Sequence, residues 1–469
     1  MEIKQIYTGC LAQGAYYIES NGEVAIIDPL REVQPYIDLA DKRGAKIKYI
    51  LETHFHADFV SGHLTLSNIT GAPIIYGPEA NPSFDFYSAK DGEVFELGDV
   101  RIKVLHTPGH TMESTCYLIF NEQGKEHAIF TGDTLFLGDV GRPDLAQKAT
   151  DMTQEQLAAT LFHSLRNKVM ILPEETIVYP GHGAGSACGK NMSKETVGSI
   201  GHELNTNYAL RADMSEAEFV KEVTDGLAPP PHYFPLNVKM NKEGYKDISE
   251  VINRGSTSFS PEAFQVAVEE TGALVLDTRS PQRFAACHIP QSINIGIDGG
   301  FAPWVGALIK DVDHPLLLIV EDDRLQEVIT RLSRVGFDHV LGYLKGGVEA
   351  WVDNGMETDC VESIPAEEFA AKLKSEKLPV FDVRKPSEFK TEHVDKAHTA
   401  PLSDINEYLN KFPEEGKFFI HCAGGYRSMI ASSILKARGI HNIIEVQGGM
   451  KAILKTDVIV TDFVCPGTI

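Results

Sequence analysis

Short strand-like runs at Ile3 to Tyr7, Ala15 to Glu19 and Val24 to Ile27 alternate with turns. Asp28-Pro29 closes the third run, and Val33 to Arg43 then changes to the three-to-four-residue spacing of an amphipathic helix. Short apolar runs return at Lys48 to Leu51, Val100 to Leu105, Ala128 to Phe130 and Thr176 to Val178. A polar turn carrying histidine or aspartate follows each of them. The pattern predicts layered strands with helices between them. Further on, Met192 to Ala228 carries a helical pattern, and Pro229-Pro230-Pro231 with His232 to Asn237 predicts an extended passage out of this domain. The boundary is expected near residue 255, with Ser256 to Ser260 as a small polar joint.

Beyond that joint the chain repeats itself, and a repeat constrains the fold more than any single motif. Ala273 to Ile295 lines up with Leu378 to Leu402, and Val340 to Trp351 with Ile443 to Ile453. In each copy a strand ends in Asp-x-Arg, a helix follows, and a late strand runs into Gly-Gly. A chain of 469 residues exceeds one ordinary core and suggests about three domains. These are expected at 1–255, 256–358 and 359–469.

The turns after the early strands carry the candidate chemistry. Thr53 to His63 reads THFHADFVSGH, which gathers His54, His56 and Asp58 at the exit of a strand. Neutral imidazoles and carboxylates bind borderline divalent metals. One H-x-H is weak evidence, because loops rich in histidine are common. Here His110 follows in TPGHT, Asp133 in TGD and His182 in YPGH, each beside a glycine that lets the backbone approach a shared centre. Four ligand candidates result: His54, His56, His110 and Asp133. Arg142, in FLGDVGRPD, suits a substrate carboxylate or a surface salt bridge. Cys188, six residues after His182, is either a sulfur relay near the metal mouth or an unreactive loop thiol.

In the second copy of the repeat, the strand Phe418 to His421 runs into Cys422, the loop Ala423-Gly424-Gly425-Tyr426-Arg427 and a helix from Ser428 to Ala437. Small residues let consecutive N–H groups turn inward at a helix start, and that field favours a thiolate or persulfide anion. Cys422 is the expected nucleophile and Arg427 the expected fixed positive charge. The first copy places its equivalent position around Glu321, followed by an acidic pair. Without sulfur it is expected to be silent, packing the active domains together or shaping an interface.

Together the histidine and aspartate motifs resemble the metallo-β-lactamase superfamily, and both copies of the repeat resemble rhodanese domains. The resemblance implies an αββα sandwich followed by two doubly wound α/β modules, a multidomain α/β and α+β chain. Hydrolases of the superfamily read H-x-H-x-D-H, whereas position 59 here is Phe59, so one metal is expected and not two. The resemblance narrows to persulfide dioxygenases fused to rhodaneses. It implies one Fe(II) per chain on His54, His110 and Asp133, with His56, Asp58, Arg142, His182 and Cys188 around it or against substrate. Two histidines and one carboxylate leave positions open for substrate and O2. A cradle of Ala423, Gly424, Gly425, Tyr426 and Ser428 would surround the Cys422 persulfide.

The implied reaction oxidises a low-molecular-weight thiol persulfide with O2 to sulfite, and Cys422 passes sulfane sulfur to sulfite to give thiosulfate. Tethering the two catalysts raises the local concentration of the second near the toxic intermediate. A glyoxalase II-like thioester hydrolase is the rival enzyme, and a docking or sulfur-sensing tail the rival for the second half. Composition narrows the partners further. Basic residues number 43 against 66 acidic, a formal net charge of −23, which argues against nucleic acid or an anionic membrane as the main partner. No apolar run nears about 18 residues, and no basic-then-apolar leader opens the chain. A cytoplasmic homo-oligomer, dimer or tetramer, is expected. Seven scattered cysteines without C-x-x-C do not read as a disulfide framework.

Overall fold

A computed structural model describes residues 1–469 apart from 146, 148–150, 228 and 466–469. Two compact units emerge: Met1–Ile248 with Leu332–Gly336, and Ser249–Arg331 with Phe337–Ile469.

The first unit holds two six-stranded sheets in sequence order. One comprises Glu2–Thr8 (β1), Gln13–Ser20 (β2), Glu23–Ile27 (β3), Lys46–Leu51 (β4), Ile74–Tyr76 (β5) and Tyr87–Ser88 (β6). The other comprises Val94–Leu97 (β7), Val100–His106 (β8), Thr115–Phe120 (β9), Glu126–Gly132 (β10), Ile177–Pro180 (β11) and Gly198–Ser199 (β12). Successive side chains of each strand point to opposite faces. Along β2, Tyr16 and Ile18 face the opposite sheet, where they meet Tyr117, Ile119 and Phe130. Ala15 and Tyr17 face outward onto Tyr36 and Ala40 of the helix Gln34–Arg43. On the far side, Ile129 and Val178 pack with Ala158 and Leu161 of the helix Gln154–Ser164. The result is helix, sheet, sheet, helix.

Two expectations fail in this unit. Met192–Thr224 is not one helix but Ile200–Thr206, a short 3₁₀ turn and Glu216–Thr224, and Ala228 lies outside the described residues. Ser199 and Ser215 each cap a new start. Nor does the chain leave after the prolines, because Phe234–Glu243 is a helix. Pro235 sits in its first turn, where the missing N–H would have had no partner anyway.

In the second unit the repeat is visible strand by strand. Ser258–Phe259 (β13), which replaces the expected polar joint, Leu274–Asp277 (β14), Ile293–Asn294 (β15), Leu316–Ile319 (β16) and Val340–Leu344 (β17) form a sheet of order β13-β17-β16-β14-β15. Glu362–Ile364 (β18), Val380–Asp382 (β19), His398–Thr399 (β20), Phe418–His421 (β21) and Ile443–Val446 (β22) give the same order, β18-β22-β21-β19-β20. Neighbouring strands are parallel in both, as connecting helices require. Asp-x-Arg is structural in both: Arg279 grips Asp277 and the Cys287 carbonyl, while Arg384 grips Asp382 and the Glu392 carbonyl.

Candidate metal centre and sulfur site

Strand ends of both sheets deliver three donors to one point. His54 follows β4, Asp133 follows β10, and His110 sits in the turn between β8 and β9. His54, His110 and Asp133 place one ligand atom each within 4.8 Å of one another, and all three are buried. The Oδ2 of Asp133 lies 3.9 Å from His54 Nε2 and 3.6 Å from His110 Nε2, and it accepts no hydrogen bond. An orphaned buried carboxylate oxygen facing two imidazoles fits a cation between them.

The other nitrogen of each imidazole is already used, and that decides which one carries the proton. His110 Nδ1 lies 2.9 Å from the Arg142 carbonyl, which can only accept, so Nδ1 bears the hydrogen and the Nε2 lone pair faces Asp133. His54 Nδ1 lies 2.9 Å from Thr53 Oγ1, whose own hydrogen goes to Asp28 Oδ2 at 2.8 Å. His54 Nε2 is thereby left with its lone pair. Burial, followed by the charge of His56, holds His54 well below the usual histidine range, which keeps it neutral. Two glycines make the approach possible: a Cβ on Gly181 would stand 2.7 Å from Asp133 Oδ1, and one on Gly141 would stand 1.9 Å from the Asp133 carbonyl.

The remaining sequence candidates form a surrounding shell. His182 Nδ1 donates to Asp133 Oδ1 at 2.7 Å, and its Nε2 lies 2.8 Å from Asp58 Oδ2, though off the line of a good hydrogen bond. Burial alone would depress His182, but Asp133 and Asp58 outweigh it and hold the imidazole well above its usual range. Burial pushes Asp133 up, while His182, His54 and His110 hold it well below the usual carboxylate range. Cys188 joins Asp58 and His182 in a second buried group of potential donors. Its thiol is pushed well up by burial and by Asp58 and Asp133. A protonated thiol in that setting is a poor sulfur relay.

His56 turns away from the trio, with Nε2 3.2 Å from Asp28 Oδ1 and 3.6 Å from Glu52 Oε2. Phe59 is fully buried with its ring 4.3 Å from that of His56, so a donor-free phenyl occupies the position where a second-metal histidine would stand. Arg142 is not aimed at the trio. Its guanidinium grips Asp144 with two bonds of 2.7 Å and reaches the Ala187 carbonyl. What it contributes here is its backbone carbonyl.

Sequence reasoning missed the group that holds the H-x-H loop in place. Asn241, buried on the helix Phe234–Glu243, donates to the His56 and Phe59 carbonyls and accepts from Ser61 N–H, each at 2.8 Å. No local pattern marks it.

The second centre lies at the carboxyl end of β21. Cys422 is buried, and Gly425 N–H points at its sulfur from 3.1 Å. Gly425 manages this at φ +97°, a backbone state that disfavours side chains. The helix begins at Tyr426, two residues earlier than expected, so Tyr426 and Arg427 belong to its first turn and the loop is Ala423–Gly425. Ser428 Oγ stands 3.5 Å from the sulfur. Arg427 is bound by both nitrogens to Glu388 at 2.6 and 2.8 Å, so its charge is largely answered there. Tyr426 donates to the Gly296 carbonyl of the first copy at 2.7 Å. In that copy strand pairing sets Ile319 against Asp277 as His421 stands against Asp382. The cysteine position is therefore Val320, one residue before Glu321.

Comparison with known proteins agrees with this architecture. The metallo-β-lactamase superfamily model matches residues 8–182, and the rhodanese-like domain model matches 260–354 and 365–456. A solved metallo-β-lactamase from Staphylococcus aureus superposes with a TM-score of 0.65 at 31% identity, covering 73% of this chain and 98% of that one. The chain belongs to the metallo-β-lactamase superfamily. It is a superfamily member carrying two rhodanese-like domains. The cytoplasmic hydroxyacylglutathione hydrolase of Arabidopsis thaliana is 34% identical over 185 residues, 38% of this chain and 67% of that protein. Human mitochondrial persulfide dioxygenase ETHE1 is 28% identical over 222 residues, 47% of this chain and 78% of that protein. Several hydroxyacylglutathione hydrolases match, and the chain spans 57% to 67% of the length of four of them. Among the described residues no helix is long and apolar enough to cross a membrane.

Proposed function

We propose that this protein oxidises a low-molecular-weight thiol persulfide with O2 to sulfite at one Fe(II) held by His54, His110 and Asp133, and transfers sulfane sulfur through Cys422 to sulfite, giving thiosulfate. The observation that carries the first half is the convergence of two unprotonated Nε2 atoms on the orphaned Asp133 Oδ2, with a phenyl ring at position 59 where a further imidazole would serve a second metal. A ferrous ion on two imidazoles and one carboxylate supplies open positions for a sulfur ligand and O2 together. Thr53 and the Arg142 carbonyl fix the two rings, and His182 holds the second oxygen of Asp133. The likeness to the human persulfide dioxygenase supports the substrate.

At Cys422 the thiolate forms a bond to the outer sulfur of a persulfide R–S–SH as the S–S bond of that persulfide breaks and the thiol R–SH leaves. Sulfite then attacks that sulfur, the S–S bond to Cys422 breaks, and thiosulfate departs with the thiolate restored. The Gly425 N–H and the helix start stabilise the anion in both steps.

The likeness to hydroxyacylglutathione hydrolases favours a thioester hydrolase as the second reading. One experiment separates them: the purified full chain is given glutathione persulfide, and O2 uptake, sulfite and thiosulfate are followed, with S-lactoylglutathione as the alternative substrate. Persulfide-dependent O2 uptake is expected, with thiosulfate giving way to sulfite in Cys422→Ser. Hydrolysis of S-lactoylglutathione without O2 uptake would overturn the dioxygenase reading. Thiosulfate unchanged in Cys422→Ser would leave the second half as a docking tail.

A further inference from the structure

Beneath the Cys422 loop lies a carboxyl group that the sulfur-transfer reading does not use. Glu445, on β22, is 2% exposed and sits between two hydroxyls. Ser363 donates to its Oε2 at 2.6 Å and Ser428 to its Oε1 at 2.7 Å. Burial pushes this carboxyl up from its usual range, and the two hydroxyls pull it back. The same Ser428 Oγ lies 3.5 Å from Cys422 Sγ and 3.1 Å from the Gly425 carbonyl. A hydroxyl has one hydrogen, so it can serve only one of these three acceptors at a time. The protonation of Glu445 therefore decides what the sulfur receives.

We propose that Glu445 takes the proton of the Cys422 thiol through Ser428, converting a neutral thiol beside a buried carboxylate into a thiolate beside a neutral acid. The thiol proton passes to Ser428 Oγ as the proton of that hydroxyl passes to Glu445 Oε1. No electrons change hands, and the buried charge stays at one. Creating a second buried anion would be costly, and this exchange avoids it. Afterwards Ser428 O–H and Gly425 N–H both point at the thiolate. Glu445 is thus a positioning residue for the proton, and its role rests on the reading of Cys422 as the sulfur carrier.

The other charged groups here are fixed in pairs. Arg427 is tied to Glu388 of the helix Pro386–Thr391, and Arg384 to Asp382 at the end of β19. His421, beside Asp382 at 3.9 Å, is held below its usual range by burial.

The test uses the full chain as wild type, Glu445→Gln and Glu445→Asp. The rate of Cys422 alkylation by iodoacetamide is read on its peptide from about pH 4 to about pH 10. Two coupled groups give the wild type a rise in two steps with a plateau between them. Glu445→Gln should show a single step, with its acid limb about tenfold slower because the internal proton acceptor is gone. Glu445→Asp should recover the two steps. Superimposable profiles for wild type and Glu445→Gln overturn the proposal, as does a Gln variant that only melts earlier. Thiosulfate formation by the wild type is scored separately. Two steps without thiosulfate would sink the sulfur-transfer reading and leave the relay standing, whereas thiosulfate with a one-step wild type would sink the relay alone.

Discussion

Asn241 holds the H-x-H loop through three buried hydrogen bonds. Asn241→Ala removes two donors and an acceptor from the His56 carbonyl, the Phe59 carbonyl and the Ser61 N–H, all bonded at 2.8 Å in a buried setting. Each buried backbone group that loses its partner costs about 1–3 kcal/mol. Water entering the space left by the shorter side chain keeps the sum toward the low end, about 3–5 kcal/mol. For a domain of this size that lowers the melting temperature by roughly 10 °C. Both tryptophans, Trp304 and Trp351, lie in the second unit, so fluorescence would miss the event and calorimetry is the suitable assay. Asn241→Asp provides the control. It preserves volume but turns acceptors toward two carbonyls, and it should destabilise at least as much as Ala. A loss below about 1 kcal/mol in Ala, or a harmless Asp, would refute the claim that this amide pins the loop.

Other outcomes follow from the same geometry. Asp133→Asn leaves the fold in place but removes the anion facing His54 and His110, and metal titration of stripped protein should show affinity down more than about a hundredfold. Arg384→Ala strands the buried Asp382, and Arg279→Ala strands Asp277, so each should cost about 3–5 kcal/mol in denaturant titrations although the two copies differ at the position of Cys422. His63, fully buried, is pushed down to about 3 by burial and by His56. The folded state therefore binds fewer protons than the unfolded chain, and stability is lost as pH falls below about 6.5, by about 2 kcal/mol at pH 5. His63→Phe should remove that loss, and an unchanged acid limb in the stability curve would contradict it.

What the sequence disclosed depended on how local the cause was. His54, His110 and Asp133 stand in short motifs at strand ends, and the Cys422 loop is set by a strand, three small residues and a helix start, all close in the chain. Asn241 acts on residues 180 to 185 positions away, and nothing around it in the helix marks the contact. Pro229 to Asn237 reads as an exit because prolines usually break structure, yet the first turn of the helix Phe234–Glu243 tolerates one. Val320 was misplaced by one residue, since only the pairing of β14 with β16 fixes the register. His56 resembles a ligand in sequence. Asp28, at φ +49° and bonded to Thr53, is what draws it away. Arg142 takes the salt-bridge alternative, with Asp144, and Arg427, expected as a fixed positive charge, is bound by Glu388; no pattern announces which acid partners them.

If a single ion sits on His54, His110 and Asp133, elemental analysis of the full chain as purified, set beside His110→Ala, will count it. About one iron per wild-type chain is expected, and almost none in the variant. Two ions per chain, zinc in place of iron, or full iron retained in His110→Ala would contradict it.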